Sequence, residues 1–129
     1  MPYPWIHDYL MAKPGVTMNV QRDWNWDRYY VADKMFAAIC RRCEGGEPYY
    51  ITVKLPPDEN DFLRTQYEDI IPGYYCNKQH WSSIRPEGSV PEDVMRTILD
   101  HSYGTGFRAL TKKKQKEIEQ LNREGANHP

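Results

Sequence analysis

No stretch of this 129-residue chain approaches the run of about 18 apolar residues that a membrane-spanning helix needs. The opening residues, MPYPWIHDYL, have neither a basic start nor a continuous apolar run. No export signal is therefore expected, and the expected location is the cytoplasm, with no membrane partner. Cysteine is scarce, three residues in all, and without export these read as reduced thiols. Excess charge is missing as well: 17 Lys and Arg against 18 Asp and Glu leave a net charge of -1. The pI of about 6.4 lies far below the value of about 9 that marks a dedicated nucleic-acid binder. Basic groups survive only as local clusters. There is no G-x-S-x-G elbow, no phosphate-binding glycine loop and no nucleophile beside a base, so no catalysis is expected.

Aromatic residues are what the chain has in quantity. Ten tyrosines, four tryptophans and a hydrophobic fraction of 40% argue for a folded core, while a mean hydropathy of -0.84 argues for a wet surface. A chain of this length makes one domain and buries roughly two-thirds of the surface it exposes unfolded, without needing disulfide or metal. A monomer is the expected state.

In chain order, Trp5, Ile6, Tyr9 and Leu10 share one face of a short helix over Trp5–Lys13, ended by Pro14-Gly15. Val16, Met18 and Val20 alternate with polar residues, the period of a half-buried strand. Asp23–Asp27 reads as a turn, Arg28–Ala32 and Met35–Cys40 as strands joined at Asp33-Lys34, and Arg41–Pro48 as the connection to a clear strand, Tyr49–Leu55. Four successive strands with short turns predict an antiparallel meander. Pro56-Pro57 stops it, and Pro57–Tyr67 reads as a helix burying Phe62, Leu63 and Tyr67.

Ile71–Arg85 is a turn-rich loop between two short strands, anchored to the core by Trp81 and Ile84. Trp81 is expected to be mainly structural. Ser89-Val-Pro-Glu92 predicts a capping box for a helix that carries Val94, Met95, Ile98, Leu99 and Tyr103 on one stripe. Gly104 and Gly106 are expected to weaken or break that helix. The tail, residues 111–129, reads as basic, marginally helical and disordered towards its end.

With these segments in place, the chain resembles the MmcQ/YjbR family. The resemblance rests on Lys34-Met35-Phe36-Ala37, Pro72-Gly73-Tyr74, Asn77-Lys78-x-His80-Trp81, Gly88-Ser-Val-Pro91 and Asp100-His101-Ser102-Tyr103, over about residues 5 to 114. It implies a fold similar to that of the frataxin-like CyaY group, also described as a double-wing DNA-binding arrangement. The expected architecture is thus α+β over residues 1–110: a twisted antiparallel sheet of five or six strands, with helices packed on one face. Tyr75 stands where the family often has histidine, so no role of that histidine carries over.

The candidate chemistry is mostly recognition. Cys40-Arg-Arg-Cys43 with Cys76 and His80 has the composition of a Cys3His zinc set, but the spacing favours free thiols, with Cys40 a small core residue. Iron would need an acidic ridge, and the first helix offers only Asp8. No metal or cofactor is expected. His80 and His101 read as structural rather than as acid and base.

Nucleic-acid contact has more support. Arg41 and Arg42 fall at a hairpin tip, Lys78 and Arg85 flank Trp81, and Arg22 and Lys34 lie by the first turns, with Trp24, Trp26 or Tyr75 available to stack on bases. These predict weak, largely non-specific DNA binding through hairpin wings. The alternative partner is a protein or small ligand, held by an aromatic pocket of Tyr74, Tyr75, Asn77, His80 and Trp81.

Overall fold

Four isoleucines widely separated in the chain, Ile39, Ile51, Ile84 and Ile70, lie side by side in one row across a β-sheet, each at most 3% exposed. The computed structural model describes residues 2–43, 45–73 and 76–126. Its elements run α1 (Ile6–Met11), β1 (Val16–Gln21), β2 (Trp26–Val31), β3 (Lys34–Arg41), β4 (Pro48–Lys54), α2 (Pro57–Gln66), β5 (Ile70–Pro72), β6 (Trp81–Ile84), α3 (Glu92–Arg108) and α4 (Lys112–Ala126). The strands form one antiparallel sheet in the order β1-β2-β3-β4-β6-β5. The predicted α+β fold, with its meander and its helices on one face, is the observed one.

The isoleucine row faces the helices, as do Tyr29, Ala37 and Val53, and together with Met95, Ile98 and Leu99 of α3 they form the main core. Alternate residues point to opposite faces of a strand. The far face therefore carries a second set in register: Asn19, Arg28, Ala38, Thr52, Ser83 and Ile71. Beside it, Trp26, Ala38 and Cys40 make a small buried cluster, with Tyr49, Tyr50 and Cys76 packed against it.

Asp100, His101, Ser102 and Tyr103 each tie α3 to a different part of the fold. Asp100 accepts from the Tyr9 hydroxyl (2.6 Å) and from Lys13 Nζ (2.5 Å). Burial alone would raise its carboxyl, but the hydrogen bonds from Lys13 and Tyr9 hold it below the usual carboxylate range. His101 Nδ1 meets Glu59 Oε1 at 2.6 Å, linking α3 to α2. The Ser102 hydroxyl donates to Phe36 O and accepts from Lys54 N, bridging β3 and β4 just beyond the last pair in register, Ala37 with Val53. Tyr103 donates to Pro14 O at 2.6 Å. This run is a fastening, and His101 serves in it.

Several expectations need correction. Phe62 is 60% exposed, because α2 turns Leu63 and Asn60 inward instead. The capping box does not form: Pro91 occupies the N-cap of α3 without a side-chain cap, and the Ser89 hydroxyl donates to Asp69. α3 runs unbroken through Gly104 and Gly106. β2 starts at Trp26, inside the stretch read as a turn, and Trp26 is 3% exposed, so it offers no stacking surface. The tail is helical over Lys112–Ala126, with Ile118 buried against Gly15; the expected disordered end, 127–129, lies outside the described residues.

Trp81 is half-buried, whereas Ile84 is fully buried. It opens β6, pairs with Lys54, and stands on the face away from the helices. Its neighbour across the loop must be glycine: a Cβ on Gly73 would lie 2.7 Å from Trp81 Cβ, while Gly73 N donates to Trp81 O at 2.8 Å. Trp81→Ala is therefore expected to cost about 1–2 kcal/mol, below the ~3–5 kcal/mol of a fully buried tryptophan. Thermal unfolding measures it, and a loss above about 3 kcal/mol would show that the indole is covered.

Candidate functional site

The sheet's two ends carry different groups, and this divides the basic residues expected to act together. Gln21, Trp26, Cys40 and Tyr50 lie in register at one end. Arg22 follows β1, Arg41 ends β3 with Arg42 after it, and Arg85 follows Ile84, the partner of Ile51, so all four belong to this end. Lys34 starts β3 at the opposite end. Lys78 belongs to the loop leading into Trp81, the partner of Lys54, and is likewise remote from the arginines. The six candidates therefore do not form one surface.

Between the arginine-bearing tips lies an open cleft of about 770 Å³, built from the β1–β2 turn, the β3–β4 connection and the segment after β6. Asn25 in the first turn takes φ 57°, a left-handed conformation that asparagine tolerates better than most residues. Trp24 beside it is 58% exposed, yet its ring is braced edge-on by buried Trp26 at 5.6 Å between centroids. A bulky ring held fixed and left in solvent is a surface suited to stacking. Across the cleft stand Tyr49 and Tyr50, adjacent in sequence but with ring centroids 5.3 Å apart. The register shift between Cys40 and Arg41 allows both rings to reach the same cleft. Regular strand alternation sends neighbouring residues to opposite faces, so sequence reasoning missed this pair.

The arginines are not equivalent. Arg41 is the last residue of β3, not part of the hairpin tip, and its guanidinium is committed: Nε donates to Asp27 Oδ2 at 2.9 Å and Nη1 to Gly46 O at 2.7 Å. Arg42 is exposed and lies over the Tyr49 ring at 5.7 Å. Arg85 is exposed, and among the described residues its guanidinium makes one long bond, from Nη1 to Glu68 O at 3.3 Å. Asp23, Glu47 and Glu87 line the same cleft, so its charge is mixed.

The second candidate set, around 74–81, is described in part. Tyr74 and Tyr75 lie outside the described residues. Asn77 shapes the loop: its Oδ1 accepts from Gln79 N and His80 N, and its carbonyl from Trp81 N. His80 is exposed, and its carbonyl accepts from Leu55 N. Asn77, His80 and Trp81 do not line the cleft between the arginine-bearing tips.

The thiols are set apart from one another in role. Cys40 is fully buried, its thiol pushed up to about 12 by burial, partly offset by contact with Thr52, which leaves it a poor nucleophile at neutral pH. Cys43 is exposed, and Cys76 is half-buried over the small cluster that contains Cys40. Among the described residues, no group of three His, Cys, Asp or Glu side chains is placed to hold a metal ion. Nor is any described helix long and apolar enough to cross a membrane.

Comparison with known proteins gives a consistent picture. A family model described as YjbR matches residues 11–105. "Uncharacterized protein YjbR" of Escherichia coli (strain K12) is 33% identical over 113 residues, which cover 88% of this chain and 93% of that protein. "Uncharacterized protein YyaQ" of Bacillus subtilis (strain 168) is 38% identical over 58 residues, 45% of this chain and 48% of its own length. Among solved structures, Deinococcus radiodurans protein DR2400, with a DUF419 domain, superposes with a TM-score of 0.79 at 23% identity, covering 88% of this chain and 85% of that one. A Pseudomonas syringae protein gives a TM-score of 0.64 at 18% identity, covering 82% and 99%. These two likenesses show a shared fold.

Proposed function

The chain belongs to the YjbR family, and from that premise we propose that it is a non-catalytic nucleic-acid-binding protein working through the cleft between its two hairpin tips. The observation that carries this reading is the meeting of Arg42 and Arg85, remote in sequence, beside the braced and exposed indole of Trp24. Guanidinium groups position phosphates, and an exposed aromatic stacks on bases whatever their identity. Exposed Arg42 and Arg85 line the cleft, and exposed Arg22, next to the lining Asp23, extends it to a third phosphate. Arg41 holds the tip in shape through Asp27 and Gly46. Lys34 and Lys78 lie outside the contact, at the far end of the sheet.

Binding of this kind is weak and unselective. A net charge of -1 gives no long-range attraction, and Asp23, Glu47 and Glu87 oppose phosphate within the cleft itself. Neutralising about three phosphates corresponds to a log–log salt slope near -2.7, or about 40-fold weaker binding at 200 mM than at 50 mM salt. Anisotropy of a labelled oligonucleotide across that range measures it, with Arg42→Glu/Arg85→Glu expected to abolish the signal and Lys34→Glu/Lys78→Glu to leave it nearly unchanged. No binding at low salt, or equal losses from both double variants, would remove the cleft as a nucleic-acid site. A cleft of about 770 Å³ also has the size of a small-ligand pocket, and that reading takes precedence if the first result is obtained.

A further inference from the structure

We propose that β1 is a pairing edge for a second copy of this chain, joining two six-stranded sheets into one. An open sheet has two edges, each presenting unpaired N–H and C=O groups, and proteins usually guard them with short strands, proline or charge. One edge here is guarded: β5 is three residues long and ends in Pro72. The other is not. β1 is six residues long, VTMNVQ, with no proline and no charged side chain, and Val20 on it is 41% exposed.

The direction of its free groups follows from the ladder. Gly15 O accepts from Ala32 N, so Gly15 faces β2. Alternation along an antiparallel strand then turns Thr17, Asn19 and Gln21 towards β2, and Val16, Met18 and Val20 outward. Val16 N–H is already used by Lys13 O, at 3.4 Å. No hydrogen bond from another element reaches Met18 or Val20 among the described residues.

A two-fold axis through Asn19 uses just these groups. It sets Met18 opposite Val20 and Val20 opposite Met18, giving four backbone hydrogen bonds between copies. Met18 and Val20 share the helix-side face, so the new contact is apolar on the core side. Thr17 then meets Gln21, and Asn19 meets Asn19, on the polar side. Asn19 Oδ1 already accepts from Arg28, at 2.9 Å, which leaves its amide N–H groups for its counterpart. No like charges face each other in this register, and every pair is one that a sheet accepts. A second copy fits better than an unrelated strand because the segment complements itself on both faces.

One strand pair buries less than the roughly 1,200 Å² of a stable specific interface, so the dimer is weak, with a dissociation constant on the order of 100 μM. Sedimentation from about 10 μM to about 1 mM should show the mass rising from 15.3 kDa towards twice that value. The Met18 and Val20 amides should gain protection from exchange over the same range. Val20→Lys puts a charge on the edge, and Val20→Pro removes an outward N–H without touching the β2 ladder; each should hold the chain monomeric at 1 mM while melting within a few degrees of wild type. A chain that stays monomeric at about 1 mM, or a dimer indifferent to both substitutions, would overturn the proposal.

Discussion

Asn60→Ala is expected to lower the stability of the domain by about 3 kcal/mol, and its melting temperature by on the order of 10 °C. Asn60 is fully buried on α2, and every polar atom of its side chain is used. Nδ2 donates to Leu55 O and to Gln79 O, both at 2.9 Å, and Oδ1 accepts from the Ser82 hydroxyl at 2.7 Å. One amide thus joins the end of β4, the loop before β6 and β6 itself. Alanine leaves two carbonyls and a hydroxyl without that partner, and each buried unsatisfied group costs about 1–3 kcal/mol. Arg64 moderates the loss, since its Nε also donates to Ser82 at 3.2 Å and its Nη2 to Lys78 O and Trp81 O. Asn60→Asp should cost more still, because a carboxylate would face the two carbonyls. Calorimetry of both variants decides the matter; a melting point within 2 °C of wild type for Asn60→Ala would mean that water replaces the amide.

Gly106→Val should destabilise by about 2–4 kcal/mol, although valine is the better residue for an isolated helix. A Cβ at Gly106 would lie 3.0 Å from Val31 Cγ1 and 3.2 Å from Phe36 Cβ, so α3 rests directly on β2 and β3 at this point. Branching at Cβ then forces the helix off the sheet and disturbs the neighbouring fastening by Ser102 and Tyr103. Gly104, two residues earlier, is the contrast. A Cβ there meets only the Arg108 guanidinium, at 3.1 Å, the far end of a flexible side chain. Gly104→Ala is accordingly expected to gain about 0.5–1 kcal/mol from helix propensity. Opposite signs at the two glycines, read by thermal melts, are the diagnostic result, and a stabilised Gly106→Val would show that α3 does not sit this close to the sheet.

The same two glycines show where sequence reasoning ended. Gly in a helix interior costs about 1 kcal/mol, so local propensity read Gly104-Thr-Gly106 as a break. What propensity lacks is the sheet beneath, whose close approach only a missing side chain permits. Ser89 and Glu92 likewise have the spacing of a capping box, but Pro91 sits at the N-cap and Asp69 is near enough to take the Ser89 hydroxyl. Phe62 looked like core by composition and is solvent-facing by phase, because Leu63 and Asn60 fix which side of α2 is inward.

Strand alternation in Val16–Val20 and Tyr49–Leu55, the proline stop at 56–57 and the stripe of Met95, Ile98 and Leu99 determined the elements, their order and the antiparallel meander. Those signals are local, and the period of a side-chain pattern reports directly which residues can share a face. The family motifs fixed the fold in the same way, residue by residue along the chain. Which arginines stand together was decided only in three dimensions. Arg41 and Arg42 are neighbours in sequence, yet one is locked to Asp27 and Gly46 while the other lies exposed over Tyr49. Lys34 and Arg41 share a strand, yet mark its opposite ends. Arg85 reaches Arg42 because β6 pairs with β4 and returns the chain to the same end of the sheet. Pairing between strands distant in sequence sets such neighbourhoods, and no periodicity along one strand encodes which strand will lie beside it.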